Sequence, residues 1–273
     1  MPAPTLGQHN EEVLIELLGY TKEQLMTSGK QVSSEPNPFF ILKASIFMVS
    51  MPDFITQRKA MVERYQRTGY IKSQSMAEAV QRVPREKFMD PKYMEHAYID
   101  QPFPLPGDGG QTISAPYMYP IFYEPLNIKH GDSILEIGAG SGYGAALARE
   151  LVGEKGLVVT IEINEITCKF AETNLKRTGY GDIKVICGDG SAGYPEDAPY
   201  DAICITAASP RVPYHLVEQM KTMGKLMVPV GNAYNMFGQD LIMITKEMDG
   251  STKEENLMKV TYVPLLGKHG QYR

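Results

Sequence analysis

The run Leu135-Glu-Ile-Gly-Ala-Gly-Ser-Gly-Tyr-Gly144 decides the fold. It joins an apolar strand candidate, Ser133 to Ile137, to a helix candidate, Ala145 to Val152, and so reads as a strand–loop–helix corner. Gly138, Gly140 and Gly142 let the backbone turn sharply and meet a ligand with no Cβ in the way. A dinucleotide fingerprint, GxGxxG, counted from Gly138 would need its last glycine where Tyr143 stands. The spacing is instead E-x-G-x-G-x-G, with Glu136 just ahead of the glycines. A carboxylate there repels a pyrophosphate but suits a ligand carrying an ammonium and a sulfonium. The loop therefore favours S-adenosylmethionine over NAD.

Working outward, further apolar stretches alternate with helix candidates: Leu157 to Glu162, Lys184 to Cys187, Tyr200 to Thr206 and Lys225 to Val230, with a helix candidate at Glu165 to Thr178. That alternation predicts an α/β fold with a mostly parallel central sheet covered by helices on both faces. Leu241 to Thr245 and Leu257 to Val263, on either side of Asp249-Gly250, predict a closing C-terminal antiparallel hairpin. Upstream, Asp53 is expected to cap a helix over 54–68, and Ser75 one that runs to Val83 and stops at Pro84. Two more acids stand where a nucleoside would want them. Glu162 ends the second strand about 20 residues past the loop, where a carboxylate accepts from ribose hydroxyls. Asp189, in Gly188-Asp-Gly190 after the third strand, could accept from an adenine amino group. Either acid alone reads as a solvated loop carboxylate. Three acids at successive strand ends, on the edge where open α/β sheets bind ligands, point together to a site.

The chain has 273 residues, 43% of them hydrophobic and 22% charged, as expected of a folded protein with a substantial core. Its formal net charge of −5 argues against a basic face for nucleic acid. Cys168, Cys187 and Cys204 form no CxxC pair, and the five histidines have no ligand spacing, so neither disulfides nor a metal are expected. A reducing cytoplasm fits best.

Three zones divide the chain: a helical extension over 1–32, a linker with a hydrophobic segment over 33–51, and one large domain over 52–273. In the first, Asn10 is placed to cap a helix carrying Val13, Leu14, Leu17 and Leu18, and Thr21-Lys-Glu-Gln24 is a capping-box pattern. The start of the chain has no signal-peptide pattern. The apolar Phe39 to Val49 is broken by Lys43 and falls short of the roughly 20 residues that span a membrane. It reads as buried, and no membrane contact is expected.

Several segments are similar to a known family. They are Val83-Pro-Arg-Glu-Lys-Phe88, Gly110-Gln-Thr-Ile-Ser-Ala-Pro-Tyr-Met118, the glycine loop, Gly188-Asp-Gly-Ser191, Ala198-Pro-Tyr-Asp-Ala202, Thr206-Ala-Ala-Ser-Pro210, Val228-Pro-Val-Gly231 and Tyr262-Val-Pro-Leu265. In this order they resemble the protein-L-isoaspartate O-methyltransferases, over about residues 53–272. The resemblance implies a Rossmann-like S-adenosylmethionine-dependent methyltransferase fold. It also implies methyl transfer from S-adenosylmethionine, leaving S-adenosylhomocysteine, to isoaspartyl-containing proteins and peptides. By the same matching Ser114 is the active-site hydroxyl, with Thr112 and Ile113 lining its pocket. Ser141, Glu162, Asp189, Gly190 and Gln271 join Glu136 and the loop glycines at the cofactor. Val263 and Leu265 present backbone groups to the substrate. Tyr117 and Tyr119 stand where some relatives carry histidine.

A serine soon followed by Pro116 also suits a helix N-cap, which is the structural alternative for Ser114. The functional alternatives are a methyltransferase for another carboxylate, a small molecule or RNA, and a non-catalytic module that only binds the cofactor. A monomer is expected, with the N-terminal extension as a route to self-association. Residues 2–28 are similar to the C-terminal tail of class III CoA-transferases, a tail without its enzyme, so that activity is not implied.

Overall fold

The computed structural model describes residues 53–107 and 110–271. The readings of 1–32, of the apolar Phe39 to Val49 and of the CoA-transferase-like 2–28 lie outside them. Helix α1 (Phe54–Thr68) opens the described unit as expected, the Asp53 carboxylate accepting the Thr56 N–H at 3.0 Å. In α2 (Gln74–Arg82) the cap is Ser73, not the expected Ser75. Ser73 has the extended backbone a cap requires and accepts the Met76 N–H at 3.1 Å. Ser75 lies two residues on, within the first turn, and donates to the Ser73 hydroxyl. A two-stranded antiparallel ladder follows, β1 (Phe103–Pro104) against β2 (Thr112–Ile113), and then α3 (Met118–Leu126).

The main sheet holds β3 (Ser133–Ile137), β4 (Leu157–Glu162), β5 (Lys184–Cys187), β6 (Tyr200–Ile205), β7 (Met220–Val230), β8 (Gln239–Lys246) and β9 (Thr252–Val260), in the order β5-β4-β3-β6-β7-β8-β9. Strands β5 to β7 of this order run parallel, and β8 and β9 close it antiparallel. This is the expected mostly parallel sheet with a C-terminal antiparallel hairpin. Helices α4 (Tyr143–Val152), α5 (Glu165–Arg177) and α6 (Tyr214–Val217) fill the crossovers. The pleat divides the core. Ile134, Val158 and Cys204 face the cluster built on α1 to α4, while Leu135, Val159 and Ile205 face the one containing Leu216 and Val217 of α6.

The last strand differs from expectation, spanning Thr252–Val260 in place of 257–263. It is an edge strand with most side chains exposed, so it lacks the apolar alternation by which a strand is recognised. Its register is held partly by polar partners: Asn256 donates to Asp240 at 2.8 Å and Lys259 pairs with it at 2.9 Å.

The expected absence of disulfides is overturned. Cys168 on α5 and Cys187 at the end of β5 are bonded, with Cα atoms 5.7 Å apart. The 19-residue separation spans a helix and a return to the sheet, a spacing that matches no cysteine motif. Cys204 remains a free thiol in the core. Reduction is expected to lower the melting temperature by roughly 4–8 °C, from about 2 kcal/mol at about 2–4 °C per kcal/mol for a domain of this size. Calorimetry with and without a thiol reductant measures this, and Cys168→Ser should melt at the reduced temperature in both buffers.

Candidate active site

Strand order reverses at β3. The chain steps from β3 outward to β4 and β5, then returns to β6 and β7 on the other side. Such a reversal leaves a crevice beyond the strands' carboxyl ends. The cavity found there is walled by the glycine loop, Glu162 to Asn164, Gly190, Thr206 and Ala207, Gln111 to Ser114, side chains of α3, and the tail from Tyr262 to Leu266.

The glycine loop is fixed from β6. Gly138 has φ +102°, and a Cβ there would run into the Thr206 hydroxyl. That hydroxyl donates to the Gly138 carbonyl at 2.7 Å. Gly140 gives its N–H to Glu162 Oε2 at 3.0 Å, while Glu162 Oε1 accepts from Gln111 Nε2 at 2.8 Å and from the Asn164 N–H at 3.0 Å. Glu162 is thus a buried carboxylate aligned entirely by donors, at the end of β4 where the sequence reading placed it.

Glu136 lies deeper, on the helix-facing side of β3. Its oxygens accept from Thr160 Oγ1 at 2.7 Å and from the Tyr123 hydroxyl at 3.3 Å. Burial pushes its pKa up to about 7; the Thr160 and Tyr123 bonds oppose the rise and the Glu162 charge adds to it.

Ser114 emerges directly after β2. Helix α3 begins with Tyr117 at its cap and no side-chain cap bond, so the N-cap alternative for Ser114 does not apply. Its carbonyl accepts from Arg85 Nη2 at 2.8 Å, and Arg85 Nε donates to the Ala97 carbonyl at 2.7 Å. The Arg85 side chain is fully buried, its guanidinium 5.8 Å and 5.3 Å from the Tyr119 and Tyr143 ring centres, and Nη1 has no partner. Burial also raises the Tyr262 phenol far above its ordinary value, the Tyr119 hydroxyl adding to the rise and the nearby Ser114 side chain opposing it.

Thr112, Ile113, Ser114, Glu136, Gly138, Gly140, Ser141, Glu162, Gly190, Val263 and Leu265 are brought together around this cavity. Three expected cofactor residues are not part of its wall. Gly142 is the left-handed residue ahead of α4 (φ +85°), where a Cβ would press on Ala171 and Leu175 of α5. Asp189 takes the Ser191 and Lys268 N–H groups at 2.8 Å each. Burial raises its pKa, but those bonds outweigh it and hold the carboxyl below its ordinary value. Gln271 donates to the carbonyls of Ala208 at 2.7 Å and Gly231 at 3.0 Å, tying the tail to the loop after β7.

The tail around Val263 to Leu265 lies beyond β9 and forms only an isolated bridge between Pro264 and Ala208. The Val263 carbonyl and the Leu265 N–H are matched by Ala208 at 2.7 and 2.9 Å, and the Leu265 carbonyl by the Gln271 N–H at 2.7 Å. The Val263 N–H has no backbone partner among the described residues.

Sequence reading missed Gln111 and Arg85. Gln111 is held over Glu162 by Thr167, which donates to its Oε1 at 2.6 Å. Arg85 sits in the Val83-Pro-Arg-Glu segment, but nothing local to that segment foretells that it reaches Ser114, 29 residues away.

The chain is similar to known proteins over most of its length. The family model for protein-L-isoaspartate(D-aspartate) O-methyltransferase matches residues 56–270. A protein-L-isoaspartate O-methyltransferase of Thermococcus sibiricus is 48% identical over 211 residues, covering 77% of this chain and 93% of the relative. A solved protein-L-isoaspartate O-methyltransferase is 31% identical with a TM-score of 0.70, over 78% of this chain and 66% of that one. A Plasmodium falciparum protein described as a protein-L-isoaspartate O-methyltransferase, solved in complex with S-adenosyl-L-homocysteine, is 26% identical with a TM-score of 0.67, over 77% of this chain and 98% of that one.

Proposed function

Because the chain belongs to the protein-L-isoaspartate(D-aspartate) O-methyltransferase family, we propose that it transfers a methyl group from S-adenosylmethionine to the α-carboxylate of L-isoaspartyl residues in damaged proteins. One observation carries the reading: Ser114, backed by a buried guanidinium, opens onto the same cavity as the glycine loop and the carboxylates Glu136 and Glu162.

The residues fit the methyl donor. Glu162 is aligned by N–H donors and suits a vicinal diol, which can take over the bond from Gln111. Glu136 is poised so that an arriving ammonium stabilises its charged form. Gly138 and Gly140 allow close backbone approach, and Gly190 lies in the wall with no room for a Cβ beside Ile137 and Ile161. When bound, S-adenosylmethionine supplies an electrophilic methyl group on a cationic sulfur.

The chain's own residues do the remainder. An isoaspartyl α-carboxylate is ionised at neutral pH, so no general base is required. The Ser114 hydroxyl donates to one carboxylate oxygen and leaves the other facing the methyl group. Arg85 fixes the Ser114 backbone from the buried side, so the hydroxyl is preset. Tyr119, Phe122 and Tyr262 keep the pocket apolar, which lowers a barrier in which opposite charges are annihilated. Alignment of this kind is worth up to about 7–11 kcal/mol. The amide nitrogen that follows in the chain then attacks the ester carbonyl and expels methanol, and the resulting succinimide begins the repair.

The test uses labelled S-adenosylmethionine with matched peptides carrying isoaspartate or aspartate. A base-labile methyl ester on the isoaspartyl peptide alone is the expected result, and label on neither peptide contradicts the reading. With it goes a monomer whose catalytic unit is 52–273, acting without nucleic acid or membrane; the Cys168–Cys187 bond removes the argument for a reducing cytoplasm. No helix among the described residues is long and apolar enough to cross a membrane.

A further inference from the structure

The loop between β7 and β8 presents three large apolar side chains to solvent: Tyr234 is 71% exposed, Met236 88% and Phe237 77%. Its polar groups are largely satisfied within the protein. Asn232 Oδ1 accepts the Tyr234 N–H at 2.8 Å, and Asn235 Oδ1 accepts the Phe237 N–H at 3.0 Å. The backbone N–H groups of Asn235 and Gly238 close turns onto the carbonyls of Asn232 and Asn235 at 3.1 and 3.0 Å. Gln271 fastens the loop's base through Gly231 and Ala233. The loop is therefore a built element that displays apolar surface, and such a patch gains free energy only when something covers it.

What covers it follows from where it lies. Tyr234, Met236 and Phe237 line a groove of ≈ 750 Å³ together with Tyr117, Met258 and Tyr262. The groove shares Ser114, Thr206 and Val263 with the active-site cavity, so the two adjoin at the serine. In an isoaspartyl residue the main chain runs through the side-chain carbonyl and the α-carboxylate hangs as a branch. With that branch at Ser114, the flanking residues must leave through this groove.

We infer that the Tyr234–Met236–Phe237 loop is a specificity subsite for apolar side chains flanking the isoaspartyl residue of the substrate peptide. This rests on the function proposed above and adds a preference within it. The occupant is a polypeptide segment in extended form, and the selective contact is apolar.

The test measures binding separately from turnover. Fluorescently labelled peptides with a central isoaspartate, flanked by Leu and Phe or by Gly and Ser, are titrated with the full chain in S-adenosylhomocysteine. The apolar-flanked peptide should bind about tenfold more tightly, and the Tyr234→Ser/Met236→Ser/Phe237→Ser protein should reduce that ratio to about one to two. The thermal shift given by S-adenosylhomocysteine reports whether the variant is folded, and Phe237→Ser alone repeats the comparison with less perturbation. A preference that survives in the variants, or is absent in the unmodified chain, overturns the subsite. So does sedimentation of the unmodified chain as a dimer that the triple substitution splits, because the patch then joins two copies. A preserved binding preference without methyl transfer would contradict the proposed activity while leaving the subsite standing.

Discussion

Ser114→Ala is expected to lower kcat by about 100-fold while leaving the affinity for S-adenosylhomocysteine within about twofold. The serine contributes to the structure through its carbonyl, which holds Arg85 Nη2 at 2.8 Å, and alanine keeps that carbonyl. What alanine removes is the hydroxyl, which lines the cavity next to Tyr262 and is not committed to capping α3. Without it the carboxylate loses its orienting donor and samples poses in which neither oxygen is in line with the methyl group. The deficit should appear in single-turnover rates on an isoaspartyl peptide, and partial recovery is expected with Ser114→Thr. A parallel fall in cofactor affinity, read by calorimetry, would show instead that the residue shapes the cofactor pocket.

Legibility in the sequence followed the range of the interactions. The glycine loop could be read because a strand, a tight turn and a helix lie within about 20 residues, and the residue types at each position are set by local sterics. Glu162 could be read for the same reason, since an acid at a strand's carboxyl end is located once the strand is. Arg85 and Gln111 could not. Their importance arises from contacts at separations of 29 and 51 residues, for which one sequence has no local signal.

What else the sequence did not foretell has physical causes too. Gly142 shares the alternating spacing of Gly138 and Gly140, but at the α4 N-terminus its missing Cβ makes room for Leu175 of α5. Asp189 lies beside the wall residue Gly190, and what the sequence could not foretell is that the Lys268 N–H joins the Ser191 Asx turn on its carboxylate. The Cys168–Cys187 bond depends on how α5 returns to β5, which a cysteine count does not encode. Edge strand β9 was misplaced because an exposed strand has little need of apolar residues, and its Lys-Glu-Glu-Asn run resembles a loop.

Glu136→Gln should move stability and function in opposite directions, and the sign depends on pH. In the folded chain burial raises this carboxyl to about 7 from an ordinary value of 4.5. The folded state therefore holds a proton that the unfolded state releases across that window. Its contribution to stability is complete below the unfolded value and is lost as pH rises to about 7, and above that a charge is kept buried at a cost of ~3 kcal/mol. Glutamine has nothing to ionise. At pH 5 the variant and the unmodified chain should melt alike; at pH 8.5, without cofactor, the variant should melt higher. Cofactor binding reverses the order. An ammonium beside Glu136 favours the carboxylate, so affinity for S-adenosylhomocysteine should weaken as pH falls from 8 to 6, with protons released on binding below about 7. In the glutamine variant the affinity should be about 100-fold weaker at pH 8 and nearly flat over the same range. Melting curves and calorimetric titrations at the two pH values decide the matter: a variant no more stable at pH 8.5 shows that Glu136 is not charged there at a cost, and an unchanged affinity shows that no cation of the ligand meets it.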